Sequence, residues 1–245
     1  MSKVLIFDTE CNSLDLIGGF IQELAWGIFD TESKRFISAQ CYILKWPRPY
    51  NVELEAYHIT GLSYEYCQEY GSPADATFLL FEAAATKADF ICGHNAIGYD
   101  IPMFISNFSR ILFTPTLIQK SKVIDTLLDC PFPAKMKQHS LKYLALDHGY
   151  VLTGAHQALN DVYACAHILS CYDFEEVRKI AATPVVTLTA KIDFNDIESR
   201  DRIKNARFYW NPKRKLWEKR IREYHLPGIQ LSLGDTIKLY PDANP

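Results

Sequence analysis

The chain has 245 residues, 48% of them hydrophobic and 22% charged, with a formal net charge of −3 and seven cysteines. That is room for one large domain, or a medium domain with a small companion, at an ordinary globular balance. It excludes a membrane-spanning helix, because no apolar run reaches the roughly 18 residues a span needs, and it argues against a disulfide framework or a zinc site, because the cysteines are odd in number and scattered without a Cys-x-x-Cys pair.

The N-terminal run Val4–Phe7 is apolar and β-branched, which reads as a buried strand and not as a signal peptide. Ile21–Phe29 and Arg35–Leu44 are two more strands, joined at the turn Asp30-Thr31-Glu32-Ser33. Trp46-Pro47-Arg48-Pro49 ends that pattern. Helices follow at Leu54–His58, from near Ser63, and at Ala74–Lys87. Asp89–Cys92 is a strand, and Pro102 places a helix start at Tyr99 or Asp100. Val123-Ile124-Asp125 ends a further strand. Ser140–Asp147 and Gln157–Ser170 are helical, the second with Leu159, Val162, Ala166 and Leu169 at helical spacing. Strands first, then strands alternating with helices, indicate an α/β layer with a mixed sheet. A boundary is expected near Ala181-Ala182-Thr183-Pro184, giving one domain over 1–182 and a small α+β domain over 183–245. The latter should hold a strand at Val185–Phe194, a helix capped by Asn195 or Asp196, and a strand pair around the turn Asn211-Pro212-Lys213-Arg214. Gln230-Leu231-Ser232-Leu233 resembles the peptide with which bacterial replication proteins bind the sliding clamp. Gly234 replaces the usual aromatic, however, and the alternation of Ile229, Leu231 and Leu233 reads as a strand.

Three short motifs could carry chemistry. On a strand, residues two apart share a face, so Asp8 and Glu10 present two carboxylates together. Their repulsion is relieved by a divalent cation, and hard cations prefer oxygen ligands. Taken alone, so short and common a triplet as Asp-Thr-Glu reads as a solvated turn. Asp100 closes the stretch Gly93-His94-Asn95-Ala96-Ile97-Gly98-Tyr99-Asp100, where an ordinary helix N-cap is the plain alternative. His156 stands five residues before Asp161. The two can cooperate if His156 lies on the loop after Gly154 while Asp161 lies in the first turns of the helix, and imidazole suits a general base at neutral pH. The plain alternative is a polar first turn with an exposed histidine.

The combination and order of these motifs resemble those of the DEDDh, or DnaQ-like, 3′→5′ exonucleases, the family of the proofreading epsilon subunit of bacterial DNA polymerase III. Gln22-Glu23-Leu24-Ala25, Glu55-Ala56-Tyr57-His58-Ile59-Thr60-Gly61-Leu62, Val123-Ile124-Asp125-Thr126 and His139-Ser140-Leu141 have counterparts there too, so the resemblance covers roughly residues 3–172. Ile97-Gly98 adds a residue between the His-Asn pair and Tyr99-Asp100. The resemblance implies a ribonuclease H-like mixed sheet flanked by helices, and two divalent ions, Mg²⁺ or Mn²⁺, held by Asp8, Glu10, Asp100 and Asp161. It implies His156 as the general base and places Thr9, Leu14, Ile59 and Tyr99 around the terminal nucleotide. Of the other histidines, His58 and His94 are expected to position loops, and His139, His148 and His167 to be structural. Asp125 reads either as support for the site or as a plain strand-end acid.

The charge is unevenly spread. From Thr183 onward twelve Lys/Arg stand against eight Asp/Glu, so that tail is +4 and the remainder −7. Ten of those basic residues fall between Arg200 and Arg222, opposed by Asp201 and Glu218 and interleaved with Phe208, Tyr209, Trp210 and Trp217. The tryptophans are expected in the small domain's core. The cations, Arg207, Lys213, Arg214 and Lys215 among them, are expected on nucleic-acid phosphates. The expected function is therefore metal-dependent 3′→5′ hydrolysis of single-stranded DNA or RNA. The alternatives are an exoribonuclease trimming RNA 3′ ends and a nucleic-acid-binding or recruiting module with little catalysis. All five catalytic positions are intact, which weighs against the last. The expected partners are a single-stranded 3′ end and proteins of replication or repair, in the cytoplasm and away from membranes.

Overall fold

The computed structural model describes residues 2–111, 123–133, 136, 138–193, 195–234 and 237–242. The chain forms two compact units, Met1–Phe132 with Gln138–Val177, and Pro133–Lys137 with Arg178–Pro245.

In the first unit β1 (Lys3–Cys11), β2 (Ile21–Asp30) and β3 (Arg35–Lys45) precede α1 (Leu54–Thr60), α2 (Tyr64–Tyr70), the two-residue β4 (Ser72–Pro73) and α3 (Ala74–Ala85). Then come β5 (Phe90–Gly93), α4 (Asp100–Ser109), β6 (Val123–Asp125), α5 (Thr126–Asp129), α6 (Leu141–Asp147), α7 (Ala158–Ser170) and α8 (Phe174–Ala181), the last crossing the division between the units. The sheet runs β4-β3-β2-β1-β5-β6. β1 pairs antiparallel with β2 and parallel with β5, and β5 pairs parallel with β6. β1 is central because Val4–Phe7 are apolar on both faces, as a strand covered from both sides must be. One face is filled by aromatic rings: Phe7, Trp26, Phe78, Phe81, Phe104 and Phe108 belong to one core cluster supplied by the sheet, α3 and α4. α7 packs on β1 and β2 and buries Val162, Cys165, Ala166 and Leu169. Gln22 is buried in β2, and its amide donates to the Leu62 carbonyl at 3.1 Å, tying the sheet to the α1–α2 connection. All seven cysteines are free thiols, and Cys171 is the exposed one.

The second unit contains β7 (Val185–Ala190), α9 (Ile197–Asn205), β8 (Tyr209–Asn211), β9 (Leu216–Arg222), a 3₁₀ turn at Glu223–His225, α10 (Leu226–Leu233) and β10 (Leu239–Asp242). Its sheet, β10-β7-β9-β8, is antiparallel throughout. Asp196 caps α9 by accepting from the Ser199 amide. Leu188, Ile203, Phe208, Trp217, Ile221 and Leu233 form the core. Trp217 is thus internal, as expected, while Trp210 and Tyr209 are 40% and 55% exposed.

Two expectations are corrected here. β7 stops at Ala190, and Phe194 lies outside the described residues. Ile229–Leu233 is helical, not a strand: α10 carries Pro227 in its first turn and is closed by Gly234, whose φ is +73°. Leu226, Ile229 and Leu233 pack toward the core at helical spacing, whereas Leu231 is 85% exposed. The alternation along this stretch was a by-product of that spacing.

Candidate active site

Asp8 and Glu10 lie on the last turn of the pleat in β1, after four buried apolar residues. The parallel neighbour β5 ends at Gly93, and the loop beyond it delivers Asp100 to the first turn of α4. Asp161 comes from the first turn of α7. Glu10, Asp100 and Asp161 are buried, and Asp8 is half-buried. Ligand-capable atoms of Glu10, His156 and Asp161 lie within 4.8 Å of one another. Asp100 does not cap its own helix with its side chain; its Oδ1 accepts from the Thr9 amide at 3.2 Å and the Thr9 hydroxyl at 2.6 Å.

The electrostatics follow from that crowding. Burial, then repulsion by Asp100, Asp161 and Glu10, pushes the Asp8 carboxyl well above the usual range. Burial together with Asp161, Glu23 and Asp100 lifts Glu10 to about 8. Burial raises Asp100 to about 6 against the opposing pull of its two Thr9 hydrogen bonds. Burial likewise raises Asp161 to about 6, although the His156 amide and ring favour its anion. Four carboxylates that suppress one another's ionisation lack a compensating positive charge. Asp161 Oδ1 is also buried with no hydrogen-bond partner among the described residues. An all-oxygen donor set with an orphaned acceptor fits a hard divalent cation.

The loop before α4 is fixed from β6. Asp125 accepts from the amides of Asn95 (2.8 Å), Ile97 (3.0 Å) and Leu127 (3.0 Å), and its own amide donates to Asp129 at 2.8 Å. Burial lifts its carboxyl to about 7 in spite of those donors. Asn95 is left-handed (φ +59°), and the added Ile97-Gly98 is absorbed in a tight turn, with the Gly98 and Tyr99 amides both donating to the Asn95 carbonyl at 3.0 Å. His94 braces the same loop between the Thr126 hydroxyl (3.0 Å) and the His139 carbonyl (2.9 Å). Burial lowers its pKa to about 4, so it stays neutral. His148 and His167 are half-buried and hydrogen-bonded, to the Tyr172 hydroxyl (2.7 Å) and the His148 carbonyl (2.9 Å) respectively.

On the other side, Gly154 and His156 are both left-handed, with φ of +68° and +66°. For histidine that conformation costs about 1–2 kcal/mol. The His156 amide donates to Asp161 Oδ2 at 3.3 Å, and its ring is exposed. Sequence reasoning gave no role to Glu23, yet it reaches this site. It pairs with Glu10 across β1 and β2, and it accepts from the Ala158 amide at 3.0 Å. The antiparallel register, which brings Glu23 opposite Glu10, was the signal that could have found it.

The four residues expected around a terminal nucleotide differ in setting. Thr9 is buried and engaged with Asp100. Tyr99 is half-buried, its hydroxyl donating to the Ser13 carbonyl at 3.1 Å beside Leu14. Leu14 is 80% exposed, and Ile59 is 53% exposed on α1, a helix that buries no residue. The basic residues belong to the second unit. Arg214 pairs with Glu218 at 2.8 Å, Arg207 is half-buried, and Lys213 and Lys215 are exposed on the β8–β9 turn.

Among the described residues, no helix is long and apolar enough to cross a membrane. No curated protein sequence matches the chain. Solved structures do. E. coli exonuclease I in its zinc-bound complex with single-stranded DNA aligns with a TM-score of 0.64 at 15% identity, covering 100% of this chain and 65% of that one. The same enzyme with a dT13 oligonucleotide aligns with a TM-score of 0.60 at 18% identity, covering 78% and 49%. The chain thus spans about half to two thirds of the length of these relatives. At such identities the likeness establishes the fold, a ribonuclease H-like mixed sheet between helices, as the motifs implied. The RNase_T model, described as exonuclease, matches residues 5–169, the stretch that holds Asp8, Glu10, Asp100, His156 and Asp161, and the chain belongs to that exonuclease family.

Proposed function

We propose that this protein is a metal-dependent 3′→5′ exonuclease of the DEDDh type acting on single-stranded nucleic acid, DNA in the first instance. One observation supports this reading above the others: four mutually repelling carboxylates from β1, α4 and α7 meet beside an exposed histidine, with one buried oxygen of Asp161 unpartnered. Asp8, Glu10, Asp100 and Asp161 would hold two divalent ions, Mg²⁺ or Mn²⁺. When bound, such ions lower the pKa of a water and offset charge on the attacking and leaving oxygens of an in-line displacement.

The chain's own residues do the rest. A ring nitrogen of His156 takes the proton of the attacking water, which needs an exposed imidazole close to Glu10 and Asp161. Thr9 fixes the rotamer of Asp100 through its amide and hydroxyl. Leu14, Ile59 and Tyr99 offer apolar and aromatic surface to the terminal nucleotide, suited to stacking a base without reading its sequence. The basic stretch within residues 183–245 adds phosphate contacts. Lys213 and Lys215 are the better candidates, because Arg214 is paired with Glu218 and Arg207 is half-buried.

A time course on matched 5′-labelled single-stranded DNA and RNA, with Mg²⁺, Mn²⁺ or chelator, tests this reading. The expected result is a metal-dependent ladder that shortens from the 3′ end. Stronger cleavage of the RNA would make the enzyme an exoribonuclease. Binding of both strands with cleavage of neither would refute the catalytic reading in favour of a recruiting module.

A further inference from the structure

Helix α7 begins without a side-chain cap of its own: Gln157 occupies the N-cap position and makes no capping hydrogen bond. The first turn of a helix exposes unpaired amides and attracts anions. Here one of those amides, that of Ala158, is met from a different element. Glu23 Oε2 on β2 accepts it at 3.0 Å, and the other oxygen accepts from the Cys41 thiol on β3 at 3.0 Å.

This arrangement is unusual because Glu23 stands directly opposite Glu10. Like charges in that position destabilise a sheet, so the carboxylate is held there at a cost. Both of its oxygens are engaged by protein donors, which makes it a brace and not a metal ligand. The amide it grips lies two residues after His156 and three before Asp161. His156 is itself left-handed and is linked back to Asp161 through its own amide. A strained residue keeps its conformation only where its surroundings over-determine it, and the grip on Ala158 supplies that constraint.

We infer that Glu23 is a positioning residue: from the second strand it caps the helix that carries Asp161 and so fixes Asp161 and His156 relative to Glu10. The inference rests on the exonuclease reading for its kinetic consequence but not for its metal-binding one. The test compares Glu23→Ala and Glu23→Gln with Glu32→Gln, which removes a distant exposed charge on the β2–β3 turn. Glutamine keeps an acceptor for the Ala158 amide and can turn its NH₂ toward the Cys41 sulfur. Three quantities are measured: affinity for Mn²⁺ alone, by the spin-resonance signal of the free ion; kcat and KM on a labelled oligonucleotide; and the melting temperature.

Glu23→Ala is expected to weaken Mn²⁺ binding and lower kcat, each about 10- to 100-fold, with KM little changed. Glu23→Gln should recover most of both, and Glu32→Gln should match the wild type. Wild-type Mn²⁺ affinity in Glu23→Ala overturns the inference. So does a Glu23→Gln protein as impaired as Glu23→Ala, which would make the charge and not the grip responsible. If Glu23→Ala fails to fold, the glutamine variant decides alone: near-wild-type values uphold the positioning role and a full loss overturns it. A wild-type protein that binds Mn²⁺ but cleaves nothing would count against the exonuclease reading, while the Mn²⁺ comparison would still decide the role of Glu23.

Discussion

At the scale of single residues, the acidic cluster sets the pH behaviour of the protein. Unfolded carboxyls titrate at about 4, whereas in the fold Asp100 and Asp161 are pushed up to about 6 and Glu10 to about 8. The native state therefore binds more protons than the unfolded state through this window. Stability from these groups is fully present below about pH 4 and is lost as pH rises to about 8. The melting temperature in chelator should accordingly fall across that range, and saturating Mn²⁺ should flatten the fall. A melting temperature independent of pH in chelator would show that the carboxylates do not compete as described. His156→Ala should lower kcat about 10²–10⁴-fold while leaving Mn²⁺ affinity nearly intact, because its ring is needed for the proton; an unchanged kcat removes it as the base. Asp8→Ala or Asp161→Ala should abolish metal-dependent cleavage in a protein that still folds. Strand periodicity alone put only Asp8 and Glu10 on one face; grouping them with Asp100, His156 and Asp161 as a candidate site took the combination and order of the three motifs, which resemble those of a known family. Glu23 was not legible in the sequence, because its importance arises from a pairing across strands that no local spacing reveals.

At the scale of elements, the site depends on two braces, one on each side of β1. Asp125 holds the loop before α4 through the amides of Asn95 and Ile97, and caps α5 through that of Leu127. Asp125→Ala would strand those donors in a buried setting. It should cost about 1–3 kcal/mol of stability, measured by denaturant unfolding, and should lower kcat by displacing Asp100. A loss of stability with wild-type kcat would separate the brace from the chemistry. Long periodic elements were readable beforehand: the buried run of β1, the β2–β3 hairpin and helix α7 all reflect patterns of several residues. The misread α10 shows the limit. Over Ile229–Leu233, apolar residues at every second position satisfy a strand pattern and a short helix equally, and only packing against Ile203 and Trp217 in the same core selects the helix.

At the scale of the whole molecule, the charge asymmetry separates an acidic catalytic unit from a basic companion. Lys213→Glu with Lys215→Glu should weaken binding of a labelled single strand and reduce its dependence on salt, since each lost phosphate contact removes a released counterion. An identical salt slope rules those contacts out. Residues 1–182 alone should fold and keep metal-dependent activity, because the six-stranded sheet and all four acids lie within them; insolubility of that fragment would refute its independence. The four tryptophans give each unit its own optical signature. Trp26 and Trp46 are 2% exposed in the first unit, so their emission should sit far to the blue and shift red when the aromatic core opens. In the second unit Trp210 and Trp217 lie 5.7 Å apart with their planes at 61°, close enough for their excited states to couple. That coupling should appear as a paired band in circular dichroism, lost on Trp210→Phe, so melting of the two units can be followed separately in one unlabelled sample.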